Sequence, residues 1–293
     1  MKHASGFSFQ IPIYLRGMLM GAADLIPGVS GGTIALITGI YEEFIFALSA
    51  LFETDNLRLL FRGHWRRFWQ AVNGNFLFSL FAGILSSVLL FASLIRWLFT
   101  HYPVHVWSFF FGLIAASSLM VLRMAGTHSK RWFFVVAGTA TGLLIAWSHP
   151  AQVSGNASLL MSFFSGMLAS MAMILPGISG SYILILLGMY ATVLEWVHRF
   201  DLPYLGVFVL GVGAGITGFS RLLRWLLAHY EKPTLSLLGG FLLGSLAMIW
   251  PWKSGGVPVW PAHFDGDPHI WMAIGLALTG IVLILALERA ANK

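Results

Sequence analysis

Residues 27–32 read Pro-Gly-Val-Ser-Gly-Gly, and residues 176–181 read Pro-Gly-Ile-Ser-Gly-Ser. Each stretch interrupts a long apolar run, and the two lie 149 positions apart. Proline ends a helix, and the glycines permit a tight reversal and close approach of a ligand to the backbone. A helix-breaking, hydroxyl-bearing turn at corresponding positions of two apolar halves points to the binding site of a transporter.

The repetition extends on both sides of the break. Gly17-Met18-Leu19 returns as Gly166-Met167-Leu168, and Gly39-Ile40-Tyr41 as Gly188-Met189-Tyr190, at the same offset. Gly112 and Ser117 return as Gly240 and Ser245, now 128 positions on, because the first half carries an extra segment of about 21 residues between Phe52 and Gly74. Gly138 and Gly142 roughly parallel Gly275 and Gly280. The chain therefore divides into two homologous halves, 1–150 and 151–293, within one integral unit.

Composition sets the solvent. The 293 residues are 58% hydrophobic and 10% charged, with a mean hydropathy of +0.81, which excludes an ordinary soluble domain. Several apolar runs approach the length needed to cross a hydrocarbon core of about 30 Å. Met1–Gln10 is polar and predicts no cleaved signal peptide. The absence of cysteine removes disulfides, thiolate nucleophiles and thiolate metal sites.

The expected fold is an all-α polytopic membrane protein of two inverted-topology repeats, each a re-entrant helical hairpin plus three transmembrane helices. The first hairpin spans 11–51, with arms near 11–26 and 33–51, followed by helices near 76–98, 104–122 and 132–147. The second spans 159–197, with arms near 159–175 and 182–197, followed by helices near 204–220, 235–249 and 270–287. Charge decides for hairpins that turn back. In that arrangement one face holds Lys2, Arg58, Arg62, Arg66, Arg67, Arg123, Lys130, Arg131, Arg221, Arg224, Lys232, Arg289 and Lys293, and the other only Arg96, Arg199 and Lys253. Were each pair to cross once, the bias would vanish. Six crossings, with both termini in the cytoplasm, are expected. The extra segment reads as an interfacial amphipathic helix over 55–73, with Leu57, Leu60, Phe61, Trp65, Phe68, Trp69 and Val72 on one face and Arg58, Arg62 and Arg66 on the other. Anionic membrane lipids are its expected partners, at about 1 kcal/mol per nearby basic residue.

Irregular backbone at membrane depth needs partners for its N–H groups. The second arms start at Gly32-Thr33 and Ser181-Tyr182, where a helix N-terminus bordered by glycines and hydroxyls favours an anion. Gly28, Ser30, Gly31, Gly32 and Thr33 of the first break, with Gly177, Ser179, Gly180 and Ser181 of the second, are the candidate substrate-binding residues. Arg16 supplies a cation. Asp24 and Glu42, expensive at membrane depth, are candidates for ion coupling or gating; Met173 and Ala191 stand at their counterpart positions, so the two halves differ chemically. No metal or cofactor is expected: His101 and His105 are four apart but Pro103 intervenes, and no carboxylate accompanies them. Ser220-Arg221 followed by His229 has the wrong spacing for a membrane phosphatase motif, and no nucleophile elbow or Walker loop occurs.

Residues 18–42, MLMGAADLIPGVSGGTIALITGIYE, resemble the signature of the bacterial PopT-type undecaprenyl-phosphate translocase family, long catalogued only as a domain of unknown function. LPGISGSYILILLGMY (175–190), SRLLRWLL (220–227) and GSLAMIWPWK (244–253) are similar to its pattern too. The resemblance implies a non-enzymatic flippase that returns undecaprenyl phosphate from the outer to the cytoplasmic leaflet of the bacterial plasma membrane for cell-envelope synthesis. It also adds Arg221 and the Trp250–Lys253 run to the candidate site. Two other readings stay open, an undecaprenyl pyrophosphate phosphatase-like enzyme and a secondary transporter of a small soluble anion. No nucleic-acid partner is expected, and homo-oligomerisation is left open.

Overall fold

The computed structural model describes residues 7–26, 29–126, 131–148, 158–254 and 257–291. Its first half runs α1 (Ile11–Asp24), α2 (Gly31–Ile37), α3 (Tyr41–Leu51), α4 (Thr54–Phe61), α5 (Trp65–Ala71), α6 (Gly74–His101), α7 (Pro103–Ala125) and α8 (Trp132–Trp147). Then follow α9 (Leu159–Ile174), α10 (Gly180–Leu186), α11 (Tyr190–Arg199) and α12 (Leu202–Ser245). A two-residue antiparallel ribbon, β1 (Lys253–Ser254) with β2 (Val257–Pro258), precedes α13 (Ile270–Ala291). The protein is an all-α, multi-pass membrane protein. Among the described residues α6, α7 and α12 are long and apolar enough to cross a bilayer. Outward-facing Leu85, Leu89 and Leu90 on α6 and Val209 and Leu210 on α12 suit contact with lipid tails.

The apolar segments expected to cross are all helical, but three expectations about continuity are corrected. The second arm of each hairpin is not one helix. Gly39 (φ +71°) and Gly188 (φ +68°) adopt the left-handed conformation, dividing the arms into α2 and α3, and into α10 and α11. The latter two helices are bent by 105°. The amphipathic segment 55–73 is likewise two helices, α4 and α5, separated at Gly63 (φ +74°). Finally, the stretch 221–234, left between two expected helices, is itself helical, and α12 is two helices joined at a kink within it. Leu223 and Leu227 bury one face of it, and only Tyr230 leaves helical geometry (φ −135°, ψ 43°), just ahead of Pro233. Proline cannot donate to the carbonyl four residues back, so the kink falls there.

Small residues bring the helices together. A methyl group on Gly17 would strike the Leu80 carbonyl of α6, and one on Gly83 the Tyr14 carbonyl of α1. In the second half Gly166 meets the Phe208 carbonyl of α12, and Gly211 the Phe163 carbonyl of α9. Each contact reproduces its counterpart at the offsets read in the sequence. Without a hydrophobic drive between helices in lipid, such backbone contact is what holds them. The third helix of each half instead packs on the second helix of the other. Gly138 of α8 meets Leu237 of α12, and Gly280 of α13 meets Phe109 of α7. Because 109 corresponds to 237, Gly280 is the counterpart of Gly138, and the rough pairing of Gly138 with Gly275 is corrected. Nothing lies within 4 Å of a methyl group placed on Gly275.

The core is centred on the first hairpin. All seven residues of α2 are buried, together with Ile26, Val29, Ile40, Tyr41 and Ile45. In α10 only Leu184 is buried. The two hairpins, alike in sequence, are thus unlike in environment.

Candidate functional site

The breaks meet. Ser30 Oγ donates to the carbonyl of Leu175 (3.1 Å), and the Gly177 amide donates to Thr33 Oγ1 (2.9 Å). The Tyr41 hydroxyl donates to the Ile174 carbonyl (3.2 Å). A methyl group on Gly32 would come within 2.8 Å of that same carbonyl, so the α2 N-terminus needs a residue without a side chain to sit against the end of α9. Pro27 and Gly28 lie outside the described residues, so the expectation for Gly28 is not addressed by the geometry.

At the α2 N-terminus the amides are already satisfied. Asp24 Oδ1 accepts from the Gly31 amide at 2.6 Å, Ser30 Oγ accepts from Gly32 at 3.1 Å, and the Ser30 carbonyl accepts from Thr33 at 2.9 Å. Ser30 and Thr33 are wholly inaccessible, each at 0% exposure. The expectation that this end is free to receive an anion is therefore corrected: a carboxylate of the chain itself occupies it. The physical reason is the same that would favour a phosphate, a negative group placed on the positive end of a helix. Asp24 and Arg16 form no ion pair, although they lie two turns apart on α1.

The α10 N-terminus differs. Ser179 Oγ and Ser181 Oγ are hydrogen-bonded to each other at 2.8 Å, and Ser179 does not cap the helix. Among the described residues, the amides of Gly180, Ser181 and Tyr182 have no hydrogen-bond acceptor. Gly180, Ser181 and Tyr182 are half-buried, beside the exposed Met173. Three uncapped amides and the Ser181 hydroxyl at this half-buried edge, with the buried Ser179 hydroxyl bonded to it, can receive oxygen ligands.

The remaining candidates are dispersed. Arg16 is half-buried and pairs with no described residue. Arg221 donates to the Phe52 carbonyl at the end of α3, a helix away from Tyr41, or about 16 Å at 1.5 Å per residue. Its neighbour Arg224 forms an ion pair with Glu53 at 2.5 Å, tying α12 to the first hairpin. Glu42 is exposed and lines a cavity of about 500 Å³ with Glu43, Glu53 and Arg224. Lys253 stacks over the Trp107 ring at 3.7 Å and donates to the Met248 carbonyl. Burial pushes the Lys253 ammonium down to about 8. Tyr41 and the Glu53–Arg224 pair were not among the sequence candidates. Tyr41 did carry a signal, since it belongs to the repeated Gly-x-Tyr triplet. Among the described residues no group of three or more His, Asp or Glu could hold a metal ion.

The chain matches the undecaprenyl phosphate translocase-like family over residues 20–262. A Vibrio cholerae protein named polyprenyl-phosphate transporter is 40% identical over 309 aligned positions, covering 96% of each chain. A Staphylococcus aureus protein of the same name is 32% identical over 263 positions, covering 84% of this chain and 88% of that one. No solved structure matches the chain. The family and both relatives are named as translocases and transporters, not as enzymes. Matched over a stretch that includes both helical breaks, this chain belongs to the undecaprenyl phosphate translocase-like family.

Proposed function

We propose that this protein is a flippase for a polyprenyl phosphate, undecaprenyl phosphate by family. It would return the lipid from the outer to the cytoplasmic leaflet of the bacterial plasma membrane for cell-envelope synthesis. The observation that carries the reading is the asymmetry of two sequence-related breaks in direct contact. One is capped by Asp24 and sealed; the other presents uncapped amides and the Ser181 hydroxyl at a half-buried edge, with the Ser179 hydroxyl hydrogen-bonded to Ser181. The phosphate head binds at the second break while the tail stays in lipid, and Arg16, whose guanidinium pairs with no described residue, is the candidate cation. Full dehydration of a phosphate in hydrocarbon is prohibitive, and a polar turn inside the protein removes that barrier.

The matched glycine contacts of the two halves support inverted repeats that rock against each other, alternating access to the breaks. In the opposite state the first break opens, and the phosphate competes with the Asp24 carboxylate for the α2 amides. That competition gives Asp24 a place in gating or proton coupling, with Glu42 the second candidate. The charge bias read in the sequence supports cytoplasmic termini.

Reconstitution with labelled undecaprenyl phosphate, following leaflet exchange and phosphate release together, tests the reading. Exchange without release is expected. Release of phosphate would establish a phosphatase, and exchange of free inorganic phosphate without the lipid would establish a soluble-anion transporter. Undiminished exchange in the combined Ser30→Ala and Ser179→Ala variant would remove the breaks as the site.

A further inference from the structure

A cleft of about 210 Å³ lies between the end of α7, the start of α8 and the second part of α12, remote in sequence from both breaks. Leu119, Leu122, Trp132 and Val135 form its apolar walls, and Arg123 and Arg131 stand at it with Ser236. Arg131 donates to the carbonyls of Ala125 and Gly126, closing the last turn of α7 with a cation where the helix dipole favours one. The Ser236 hydroxyl is spent on the Lys232 carbonyl, 2.9 Å away. Arg123 is different: it is exposed, and its guanidinium makes no hydrogen bond or ion pair with any described residue. Lys232 lies one turn before Ser236, so a third cation stands at the start of the second part of α12, just past the kink at Tyr230.

We infer that this cleft is a second seat for the lipid phosphate, in which Arg123 grips the phosphate and the apolar walls take the first part of the tail. The inference rests on the reading of the protein as a polyprenyl-phosphate flippase and adds where the lipid is held in the leaflet next to the arginine-rich face. An apolar slot with a guanidinium at its mouth that no described residue engages matches an amphiphile with an anionic head, and the planar guanidinium binds two phosphate oxygens at once. One narrow cleft between helices suits a single-chain lipid better than a two-chain phospholipid. Its position also suits the path. Along α12, Ser236 is nine residues from Ser245, whose hydroxyl lies 3.2 Å from a methyl group placed on Gly177 of the second break. That is about 13 Å at 1.5 Å per residue. At the other end of α7, Lys253 is already engaged with Trp107 and the Met248 carbonyl.

The test uses the full chain in nanodiscs with a photoactivatable polyprenyl phosphate, mapping the labelled peptides. Labelling within 119–135 is expected, lowered about tenfold in both Arg123→Gln and Leu119→Trp, the second variant blocking the slot while leaving the charge. Competition by unlabelled undecaprenyl phosphate, but not by phosphatidylglycerol at equal mole fraction or by inorganic phosphate, is expected. Equal competition by phosphatidylglycerol would make the cleft a general anionic-lipid contact and overturn the assignment, as would competition by inorganic phosphate. Labelling that neither variant lowers overturns it as well. If the wild type exchanges the lipid between leaflets yet shows no labelling here, this seat alone is refuted. If the wild type exchanges nothing, the flippase reading itself fails.

Discussion

Replacing Thr33 by Val should loosen the contact between the two breaks, and the size of the effect follows from one hydrogen bond. Thr33 is fully buried, and its Oγ1 is the acceptor for the Gly177 amide at 2.9 Å. Valine keeps the volume and removes the acceptor. A neutral side-chain hydrogen bond between membrane helices contributes only about 0.6 kcal/mol on average. Here the larger quantity decides, because the variant strands a buried amide, and an unsatisfied buried donor costs about 1–3 kcal/mol. Gly177 sits at φ +83° with Leu242 and Ser245 close by, so the backbone has little freedom to find another acceptor. Thr33→Ser, which keeps the hydroxyl, should stay near the wild type. The assay is thermal unfolding in a fixed detergent, with Ser30→Ala and the double variant completing a cycle. Because Ser30 holds Leu175 beside the same turn, the two substitutions should be non-additive. Thr33→Val as stable as the wild type, or fully additive with Ser30→Ala, would refute a joint latch between the breaks.

Other outcomes follow from the same geometry. Gly138→Ala should destabilise by about 1–3 kcal/mol, since its methyl strikes the Leu237 carbonyl, whereas Gly275→Ala should be neutral or stabilising by up to about 1 kcal/mol; thermal melts of the pair compare them directly. Lys253 is held at about 8 by burial, against 10.5 for the free side chain, so between those values the unfolded chain binds more protons. Stability should therefore rise with pH across that window, and Lys253→Met should flatten the rise in a pH series of melts. The double variant Ser179→Ala with Ser181→Ala should weaken binding of a polyprenyl phosphate by about tenfold, while the fold, judged by gel filtration, stays intact; two lost hydrogen bonds of about 0.5–1.5 kcal/mol each set that scale. Equal affinity in that variant would move the phosphate away from α10.

Much of the fold is legible in the chain because lipid leaves few choices. Apolar runs must be helices, and repeated glycines mark where helices touch. The offset of 149 pairs Gly17 with Gly166, and both glycines meet a carbonyl of the next long helix in the structure, which also matches Gly83 with Gly211 at the later offset of 128. What is not legible is continuity. The helix through 221–229 depends on burial against partners distant in sequence, with Leu223 and Leu227 entering the core, and the 105° bend between α10 and α11 is set by packing rather than by the glycine alone. The third-helix register also fails from sequence, because one glycine looks like another until a neighbouring carbonyl picks out Gly280 over Gly275.

For the site, the sequence by itself determined the two breaks, their chemistry of amides and hydroxyls, and their inequality, since Asp24 has no second copy. Only the tertiary structure decided that the breaks touch, that Asp24 caps the first, and that the second remains uncapped. Local sequence fixes which groups a turn exposes. Which of those groups finds a partner depends on the distant backbone packed against it, and for Ser30 and Thr33 that backbone lies at Leu175 and Gly177, more than 140 residues along the chain.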